Sequence, residues 1–328
     1  MRFLIITDPR THSEIDVTFE LYRLLPEDPR FELYHLHPAR LGDAFALPVV
    51  PVPNPLSFPE FLALDEAPVV TARLADFDLA MQRTDKPYPD GFIDWLVRHE
   101  DQVQFVTRPS GIRDCSDRVF TRSIADRFMP PGLVTRDVAE AAAFLEVQGR
   151  VVAKRNQSYG GKGVVRLSRA VGGWVIEPPE GEDLAFGRLE PLLEHLFAAD
   201  PDPYEFVRYL ESVSAGDKRV LVVEGEIYGG YLRTAPEGRW ISNLMAGGYL
   251  HPVTVTPAEQ AMIEATWRPY HDRGLDLLGY DFLVDETGEP TLSEINSANA
   301  GGYGLLERTT GRPCYPRLLD WIAGRKGP

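Results

Sequence analysis

Two acidic residues near the C-terminal end of the chain are spaced so that they could bind a metal ion. Asp281 lies in the run GYDFLVD, and Glu294 and Asn296 lie in the run SEIN, with a turn-forming stretch between them. Alternating polar and apolar residues predict a strand on each side of that turn. A turn centred between Thr287 and Gly288 places Asp281 directly opposite Glu294, and Asn296 then points to the same face.

This ligand set contains only oxygen atoms, which is typical of a site for a hard cation. Mg²⁺ prefers carboxylate and amide oxygens, and Mn²⁺ also accepts them. Two like charges across a strand pair repel each other unless a cation or a base neutralises them. The sequence therefore predicts a site for Mg²⁺, or secondly Mn²⁺. A salt-bridged surface hairpin is the alternative.

A glycine-rich segment in the middle of the chain predicts a loop that approaches phosphate groups. In the run VVAKRNQSYGGKGVVRLS, two valine-rich stretches flank Gly160, Gly161, Lys162 and Gly163, which predicts a hairpin between two strands. The spacing fits neither a P-loop nor a Rossmann fingerprint, since both lead into a helix. Glycines let backbone N–H groups approach polyphosphate closely, and Lys154 adds a point charge. An ordinary turn is the alternative.

Two arginines between these motifs could bind an anion. In the run AGDKRVLVVEGEIYGGYLRTAP, Arg219 alternates with apolar residues along a predicted strand, and Arg233 follows a glycine-kinked strand. A guanidinium group binds phosphate or carboxylate through a planar fork and keeps its charge at neutral pH. Pairing with surface carboxylates of this acidic chain is the alternative for each arginine alone.

The elements that position these residues begin with a small α/β layer. Residues 3–7 and 31–36 are predicted as parallel strands, joined by a helix that Ser13 caps. Five prolines between Pro48 and Pro59 predict a polyproline-like surface loop. A strand at 77–82 leads into the polar loop 83–87, which is either a ligand loop at the carboxyl edge of the sheet or a solvated turn.

A new domain is predicted to begin near a helix over residues 116–128. Pro130 and Pro131 end that helix, because proline cannot donate into a continuing helix. Residues 138–147 are predicted as the next helix and residues 151–154 as the strand that precedes the glycine-rich hairpin.

The charge balance excludes some classes of protein. The chain has 328 residues, with 49 acidic against 34 basic side chains and a formal net charge of −15 at pH 7, which argues against binding to a nucleic-acid backbone. It has no apolar run of about 18 residues that would span a membrane. Cys115 and Cys314 are in no zinc-like or disulfide-like spacing, so a cytoplasmic location is expected. His35 and His37 alternate without a third ligand, so structural or surface roles are expected.

Taken together, these motifs resemble the prokaryotic glutathione synthetase family within the ATP-grasp ligases. The matching pieces occur in family order and cover most of the chain: TDP, RDCSDRVFT, VVAKRNQSYGG, AGDKRVLVVEGE, SNLMAGG, GYDFLVD and SEIN. The resemblance implies an α/β ATP-grasp fold with a parallel-sheet substrate domain (1–113), a central domain with the glycine-rich lid (114–200) and an antiparallel-sheet domain with the metal site (201–328). It also implies ATP bound between the last two domains and a homotetramer or homodimer.

The resemblance further implies a role for each candidate residue. Lys154 would contact the α- and β-phosphates, and Gly160, Gly161, Lys162 and Gly163 would form the mobile lid. Glu205, Phe206 and Val207, with Arg208, would form the adenine-binding hinge, and Asp217 would bind the ribose. Asp281, Glu294 and Asn296 match the magnesium ligands, while Arg219, Arg233 and Asn243 match groups around the transferred phosphoryl group.

Three segments depart from the family pattern. Arg118 stands where the family has a second ATP-binding lysine, residues 297–304 (SANAGGYG) differ from the family's acceptor loop, and residues 82–86 follow the basic donor-binding loop only loosely. The expected function is glutathione synthetase, which joins γ-glutamylcysteine and glycine through an acyl phosphate. The alternatives are an ATP-grasp peptide ligase with another donor or acceptor, and a noncatalytic nucleotide-binding protein.

Overall fold

Three mixed or antiparallel β-sheets follow one another along the chain in a computed structural model, which describes residues 1–156, 163–234 and 248–325. The N-terminal sheet contains β1 Arg2–Ile6, β2 Glu32–Leu36, β3 Leu47–Val52, β4 Val70–Ala72, β5 Leu79–Gln82 and β6 Gln104–Phe105. The central sheet contains β7 Gly132–Thr135, β8 Arg150–Arg155, β9 Val164–Ala170, β10 Gly173–Glu177, β11 Leu184–Phe186 and β12 Tyr204–Arg208. The C-terminal sheet contains β13 Asp217–Val223, β14 Glu226–Thr234, β15 Tyr249–Val253, β16 Leu277–Val284 and β17 Pro290–Asn296.

The helices connect and cover these sheets, as the α/β fold class predicts. They are α1 Val17–Leu24, α2 Phe58–Leu62, α3 Phe92–His99, α4 Pro109–Cys115, α5 Arg118–Ala125, α6 Val138–Gln148, α7 Leu189–Ala198, α8 Pro257–Thr266, α9 Arg268–His271, α10 Tyr303–Thr310 and α11 Tyr315–Gly324. Within the described ranges, no helix has the length and apolarity needed to cross a bilayer.

The N-terminal sheet has the strand order β4-β3-β2-β1-β5-β6, and β1 pairs in parallel with both β2 and β5. The predicted parallel pairing of the first two strands is therefore confirmed. The helix cap is not Ser13, as predicted, but Asp16, whose side chain accepts from the backbone N–H of Thr18. Asp16 lies one residue before the first buried turn of α1, so it can satisfy a donor that Ser13 cannot reach.

The predicted proline-rich surface loop is wrong over its first half, because residues 47–52 form strand β3. Its two prolines are tolerated because the two neighbouring strands use different halves of β3. Residues 47–49 pair with β4, and residues 50–52 pair with β2. Each proline therefore has a hydrogen-bonded neighbouring strand on one side only, like a residue of an edge strand. Val49, Val50 and Val52 are buried in the core beneath it.

The central sheet has the order β11-β10-β9-β8-β12-β7, and α6 and α7 cover one face. The predicted hairpin between strands is confirmed, since β8 and β9 pair in antiparallel register up to Lys154 and Val164. The C-terminal sheet has the order β15-β14-β13-β16-β17. One face of β13 packs Leu221 and Val223 into the core that also contains Phe3 and Ile5 of the N-terminal sheet. The polar end of that same face of β13 lies in the candidate active site.

Candidate active site

The carboxylate hairpin brings Asp281 and Glu294 together across β16 and β17, where they are direct cross-strand partners. The prediction that these two residues face each other is confirmed, although the turn is centred half a residue before the predicted position. Phe282 pairs with Leu292, so the pairs next to the turn are centred on Thr287. A β-bulge at Ser293 shifts the register by one residue between this pair and the Asp281–Glu294 pair. The bulge also explains how Leu292 and Ile295 both pack in one core while Glu294 faces the ligand side.

Asp281 is saturated by hydrogen-bond donors. Arg219 faces it across β13 and β16 and donates from Nε to Oδ1 at 2.5 Å and from Nη2 to Oδ2 at 2.9 Å. Arg233 donates from Nη2 to Oδ1 at 2.9 Å, and Asn296 donates from Nδ2 to Oδ2 at 3.1 Å. Burial alone would raise the pKa of Asp281, but the two guanidinium groups hold that pKa below its usual value. Asp281 is therefore an ionised, buried carboxylate.

Asp217 also pairs with Arg233, which it shares with Asp281, but its negative charge is less well stabilised than that of Asp281. Arg233 donates from Nε to Asp217 Oδ1, and the two residues are cross-strand partners in β13 and β14. Burial raises the pKa of Asp217 to about 6, with Arg233 opposing this rise and Asp281 adding to it. Both aspartates thus pair with Arg233, but only Asp281 also pairs with Arg219. This difference explains why the pKa of Asp281 is lowered while that of Asp217 is raised.

A second cluster of charges surrounds Glu205 on the central sheet. Glu205 is fully buried, accepts from Arg122 Nε at 2.8 Å and lies 3.4 Å from Arg118 Nη1 and 3.8 Å from Lys154 Nζ. Burial alone would raise the pKa of Glu205, but Lys154 and the two arginines hold it below its usual value. One carboxylate therefore holds three cations in a small volume. We call these four residues the central cluster.

Lys154 and Arg118 connect this cluster to the carboxylate hairpin. Lys154 Nζ lies 3.5 Å from both Ser293 O and Ser293 Oγ, and Arg118 Nη2 lies 3.4 Å from Glu294 Oε1. Burial lowers the pKa of Lys154, because Glu205 compensates only part of the desolvation of its ammonium group. The hydrogen bonds of Lys154 are long, so its ammonium group is geometrically suited to a stronger anionic partner.

The strand proposed for the adenine hinge lies inside the central sheet. Residues of β12 pair with β8 on one side and β7 on the other, with Glu205 opposite Lys154. Phe206 is fully buried in the core under α6 and α7, and Val207 is 6% exposed. The backbone of this segment is thus held in two ladders, next to the lysine that the sequence assigns to the phosphates.

Only the end of the glycine-rich hairpin falls in the described part of the chain. Gly163 has a φ of +72°, and a Cβ there would come within 2.7 Å of the Arg155 side chain, so glycine is required at this position. Gly160, Gly161, Lys162 and Asn243 lie outside the described residues.

Sequence reasoning missed one cation of this region, Arg122, and left the role of a second, Lys86, open between a ligand loop and a solvated turn. Arg122 lies one helical turn after Arg118 on α5 and reaches Glu205. Lys86 lies in the loop after β5, and its Nζ donates to Ser116 O at 3.2 Å. Burial, together with the charge of Arg118, lowers the pKa of Lys86 to about 8. Spacing on α5 could have revealed Arg122, whereas the position of Lys86 depends on a contact between distant segments.

The loop after β5 meets the loop after β17, which brings polar groups of three segments together. Arg83 is 3% exposed and donates from Nε to Thr18 Oγ1 at 3.0 Å and from Nη1 to Ala300 O at 3.4 Å. Asn299 donates from Nδ2 to Thr84 O at 2.8 Å. The next carbonyl along, that of Gly301, accepts from Arg219 Nη1 at 3.4 Å. The 297–301 segment therefore joins the N-terminal sheet edge to the carboxylate hairpin.

The expectation that His37 lacks nearby ligands is wrong, since Asp8 and Asp65 both lie 3.6 Å from its Nε2. These three residues are close enough to hold a metal ion. However, the backbone N–H of Ala39 donates to His37 Nδ1 at 3.1 Å, so the proton of a neutral ring is on Nε2. An N–H that faces two carboxylates is a donor and not a metal ligand.

Comparisons with known proteins find similarity in sequence and in fold. A sequence model of the family described as prokaryotic glutathione synthetase, ATP-grasp domain, matches residues 117–311. A protein named glutathione synthetase from Parasynechococcus marenigrum (strain WH8102) is 30% identical over 332 residues, which covers 98% of each chain. One of the same name from Mesorhizobium japonicum is 27% identical over 260 residues, covering 78% of this chain and 76% of the other.

Among solved structures, the fold is similar to that in the crystal structure of D-cycloserine synthetase DcsG. The TM-score is 0.71 at 13% sequence identity, with 100% of both chains covered. At this identity the likeness concerns the fold, and it extends over all three sheets.

Proposed function

The chain belongs to the prokaryotic glutathione synthetase family and is an ATP-grasp ligase that forms C–N bonds, and from this premise we propose that it synthesises glutathione. The proposed reaction joins γ-glutamylcysteine to glycine and converts ATP to ADP and phosphate. The observation that carries the proposal is the meeting of Asp281 and Glu294 across β16 and β17, beside the cations of the central cluster.

The family uses ATP and a divalent metal, and we propose Mg²⁺, with Mn²⁺ as the second choice. Asp281, Glu294 and Asn296 offer only oxygen ligands of the kind that these hard cations prefer. Both oxygens of Asp281 accept from N–H donors of Arg219 and Arg233, so Asp281 would hold a cation in place of one of these ion pairs. Bound Mg²⁺ would neutralise charge on the phosphate oxygens.

We assign the nucleotide to the space between the central and C-terminal sheets. Lys154 and Arg118 bind its phosphates, because they hold only long contacts to carboxylates and project towards the hairpin. We assign adenine to the β12 segment of Glu205, Phe206 and Val207, and the ribose to Asp217. The lid is assigned to Gly160, Gly161, Lys162 and Gly163, which would exclude water from the reactive intermediate.

The proposed chemistry has two steps. A carboxylate oxygen of the donor attacks the γ-phosphorus of ATP, the bond to the bridging oxygen breaks, and ADP leaves an acyl phosphate behind. The amine nitrogen of the acceptor then attacks the acyl carbon, loses a proton and expels phosphate. Arg219 and Arg233, with Asn243 as a further assigned group, stabilise the negative charge on the transferred oxygens.

A second candidate is an ATP-grasp peptide ligase of the same family with another donor or acceptor. The loop at 297–304 favours it, because Asn299 extends to Thr84 and its Oδ1 has no hydrogen-bond partner. A side chain in that position changes what the loop can recognise. Glycine needs no such contact, whereas a larger or more polar amino acid could use it.

The test is a substrate panel. Purified protein is incubated with Mg-ATP, γ-glutamylcysteine and each amino acid in turn, and ADP release and product mass are measured. The proposal predicts turnover with glycine and a product of the mass of glutathione. Turnover with other amines but none with glycine would eliminate glutathione synthetase in favour of the second candidate. The Glu294→Gln variant should lose metal-dependent turnover while it stays folded.

Two further properties follow the family and remain proposals. We propose a homotetramer or homodimer, which mass photometry of the purified protein would decide. We also propose a reducing cytoplasm as the compartment, because Cys115 and Cys314 are both free and buried.

A further inference from the structure

Helix α5 packs on the core of the C-terminal sheet, although the central sheet follows this helix directly along the chain. Ala125 is fully buried in that core, and Phe120 packs edge-on against the Tyr270 ring, with 5.0 Å between the ring centroids. Thr121 Oγ1 and Tyr270 OH form a hydrogen bond of 2.9 Å. Helix α5 is therefore fixed to the C-terminal sheet, and its basic residues extend from there to the central sheet.

The Arg122 side chain, which is 8% exposed, crosses from α5 to the central sheet. Its Nε donates to Glu205 Oε1 at 2.8 Å, and its Nη1 donates to Asp126 Oδ1 at 2.7 Å and to Pro130 O at 3.2 Å. A Cβ on Gly132, the first residue of β7, would lie 2.3 Å from Arg122 Nη2. The guanidinium group therefore occupies space that glycine leaves open.

The two carboxylate oxygens of Glu205 have different partners. Oε1 accepts from Arg122 at 2.8 Å, whereas Arg118 Nη1 and Lys154 Nζ lie 3.4 and 3.8 Å from Oε2. Short charge-assisted hydrogen bonds are the strong ones, and they weaken as the distance between donor and acceptor grows. Arg122 is therefore the main partner of this buried carboxylate. The two residues assigned to the phosphates share the other oxygen at longer distances.

This division of partners determines how strongly Glu205 competes with phosphate for the other two cations. A buried carboxylate requires a compensating cation, and Arg122 supplies it without drawing on Lys154 or Arg118. Without Arg122, the carboxylate would depend on Lys154 and Arg118. Glu294 already shares Arg118 at 3.4 Å, so the demand on Lys154 would be greatest. Arg122 therefore keeps both cations available to an anionic ligand.

We propose that Arg122 is a positioning residue for phosphate binding and that it acts through Glu205. Because Arg122 holds Oε1 of Glu205, Lys154 and Arg118 can exchange their long contacts to Oε2 for phosphate oxygens. Arg122 itself need not touch the nucleotide. This inference rests on the nucleotide site of the proposed function, and it adds a residue to which the sequence resemblance assigns no role.

The test measures the dissociation constants of ATP and adenosine by calorimetry with Mg²⁺ present. Arg122→Gln should raise the Kd of ATP about 10-fold, because Glu205 then competes for the phosphate-binding cations, and should change that of adenosine by less than about twofold. Arg122→Lys retains the charge and should stay within about threefold of wild type for ATP. Arg127→Gln is the control and should change neither constant, since its exposed guanidinium lies over the Phe128 ring.

A double variant separates action through Glu205 from a general loss of packing. Adding Glu205→Gln to Arg122→Gln removes the competing carboxylate together with its main partner, so the Kd of ATP should return to within about threefold of wild type. No buried carboxylate is left without its partner in the double variant, so this comparison holds even if Arg122→Gln alone does not fold. Circular dichroism of each variant verifies the fold.

Two results would overturn the inference. Equal losses of affinity for ATP and adenosine would give Arg122 a structural role only, because β12 also carries the segment assigned to adenine. A double variant that binds ATP at least 10-fold more weakly than wild type would show that Arg122 does not act through Glu205.

The failure of this inference is distinguishable from failure of the proposed function. The binding measurements need neither a donor nor an acceptor, so they do not depend on the identity of the substrates. If the wild-type protein does not bind ATP, the proposed nucleotide site is wrong. If wild type binds ATP and Arg122→Gln binds it equally well, the role given to Arg122 alone is wrong.

Discussion

Two charged clusters lie on either side of the proposed nucleotide site, and they are balanced differently. The central cluster places Arg118, Arg122 and Lys154 around one buried carboxylate, Glu205. The cluster on β13, β14 and β16, which we call the hairpin cluster, pairs Arg219 and Arg233 with Asp217 and Asp281. Within its four residues the first has three positive charges and one negative charge, with Glu294 and Asp126 as further partners of Arg118 and Arg122, whereas the second has two charges of each sign.

The ion-pair distances in the two clusters also differ. Arg118 and Lys154 stay 3.4 and 3.8 Å from Glu205, which leaves both groups with donors for another anion. In the hairpin cluster, Asp281 accepts from Arg219 and Arg233 at 2.5 to 2.9 Å. Under the proposed function, the central sheet would thus offer preformed cations to phosphate. Under the proposed function, the hairpin would instead have to give up internal ion pairs to hold a metal and a phosphoryl group.

The strongest test of the central cluster is Glu205→Gln, which removes its only fully buried carboxylate. Lys154 would then lose its carboxylate partner, and Arg118 and Arg122 would keep only Glu294 and Asp126, so the free energy of unfolding should fall by about 3 to 5 kcal/mol. Urea denaturation measures this. Glu211→Gln, whose side chain is 66% exposed in a pair with Arg150, should cost at most about 1 kcal/mol. An equally small loss for Glu205→Gln would show that the cations do not depend on this carboxylate.

The hairpin cluster is tested by Asp281→Asn, which removes a proposed metal ligand and the shared partner of two arginines. Turnover at saturating ATP should fall at least about 100-fold, as expected when direct metal coordination and charge stabilisation are both lost. ADP release measured over a range of Mg²⁺ concentrations shows the effect. Asp285→Asn, in the turn of the same hairpin, is the control. Turnover within threefold of wild type would exclude Asp281 from the metal site.

The Lys154→Met variant tests the contribution of the central cluster to nucleotide affinity rather than to stability. The variant should bind ATP about 10-fold more weakly, because one charge-assisted contact to phosphate is lost. Calorimetric titration with Mg-ATP gives the dissociation constant. Lys218→Met is the matched control, since Lys218 pairs with Glu259 at 2.6 Å on the other face of the C-terminal sheet. An unaltered dissociation constant in Lys154→Met would contradict the phosphate assignment.

A further test of the hairpin cluster uses the pH dependence of stability and concerns Asp217, whose charge is less compensated than that of Asp281. The pKa of Asp217 is about 6 in the folded chain against 3.8 for an ordinary aspartate, so the folded state binds the proton more tightly. Its contribution to stability is therefore present below about pH 4 and is lost as the pH rises through 6. The unfolding free energy of wild type, relative to Asp217→Asn, should decline over this range. Parallel curves would contradict the competition for Arg233.

The local patterns of the sequence predicted much of this site. Alternation on both sides of a turn was enough to place Asp281 opposite Glu294, and valine-rich runs were enough to define the hairpin after Lys154. The β-bulge at Ser293 was not predictable, because an extra residue leaves no periodic signal. The predicted register at Asp281 was correct because the bulge offsets the error in the turn centre.

Other features depend on contacts between distant segments, which periodicity does not encode. Prolines in β3 indicated a loop, yet the strand forms because its two neighbours pair with different halves of it. Glu205 was assigned to an adenine hinge, and its pairing with three cations is visible only when α5, β8 and β12 come together.

The most direct test of the ligase account is isotope transfer from the donor. Donor labelled with ¹⁸O in the carboxylate that forms the new amide bond is converted with Mg-ATP and the acceptor, and the released phosphate is analysed by mass spectrometry. A carboxylate that attacks the γ-phosphorus predicts one ¹⁸O atom in each phosphate released, with ADP as the other product. Unlabelled phosphate, or formation of AMP, would contradict the acyl phosphate and with it the roles given to both clusters.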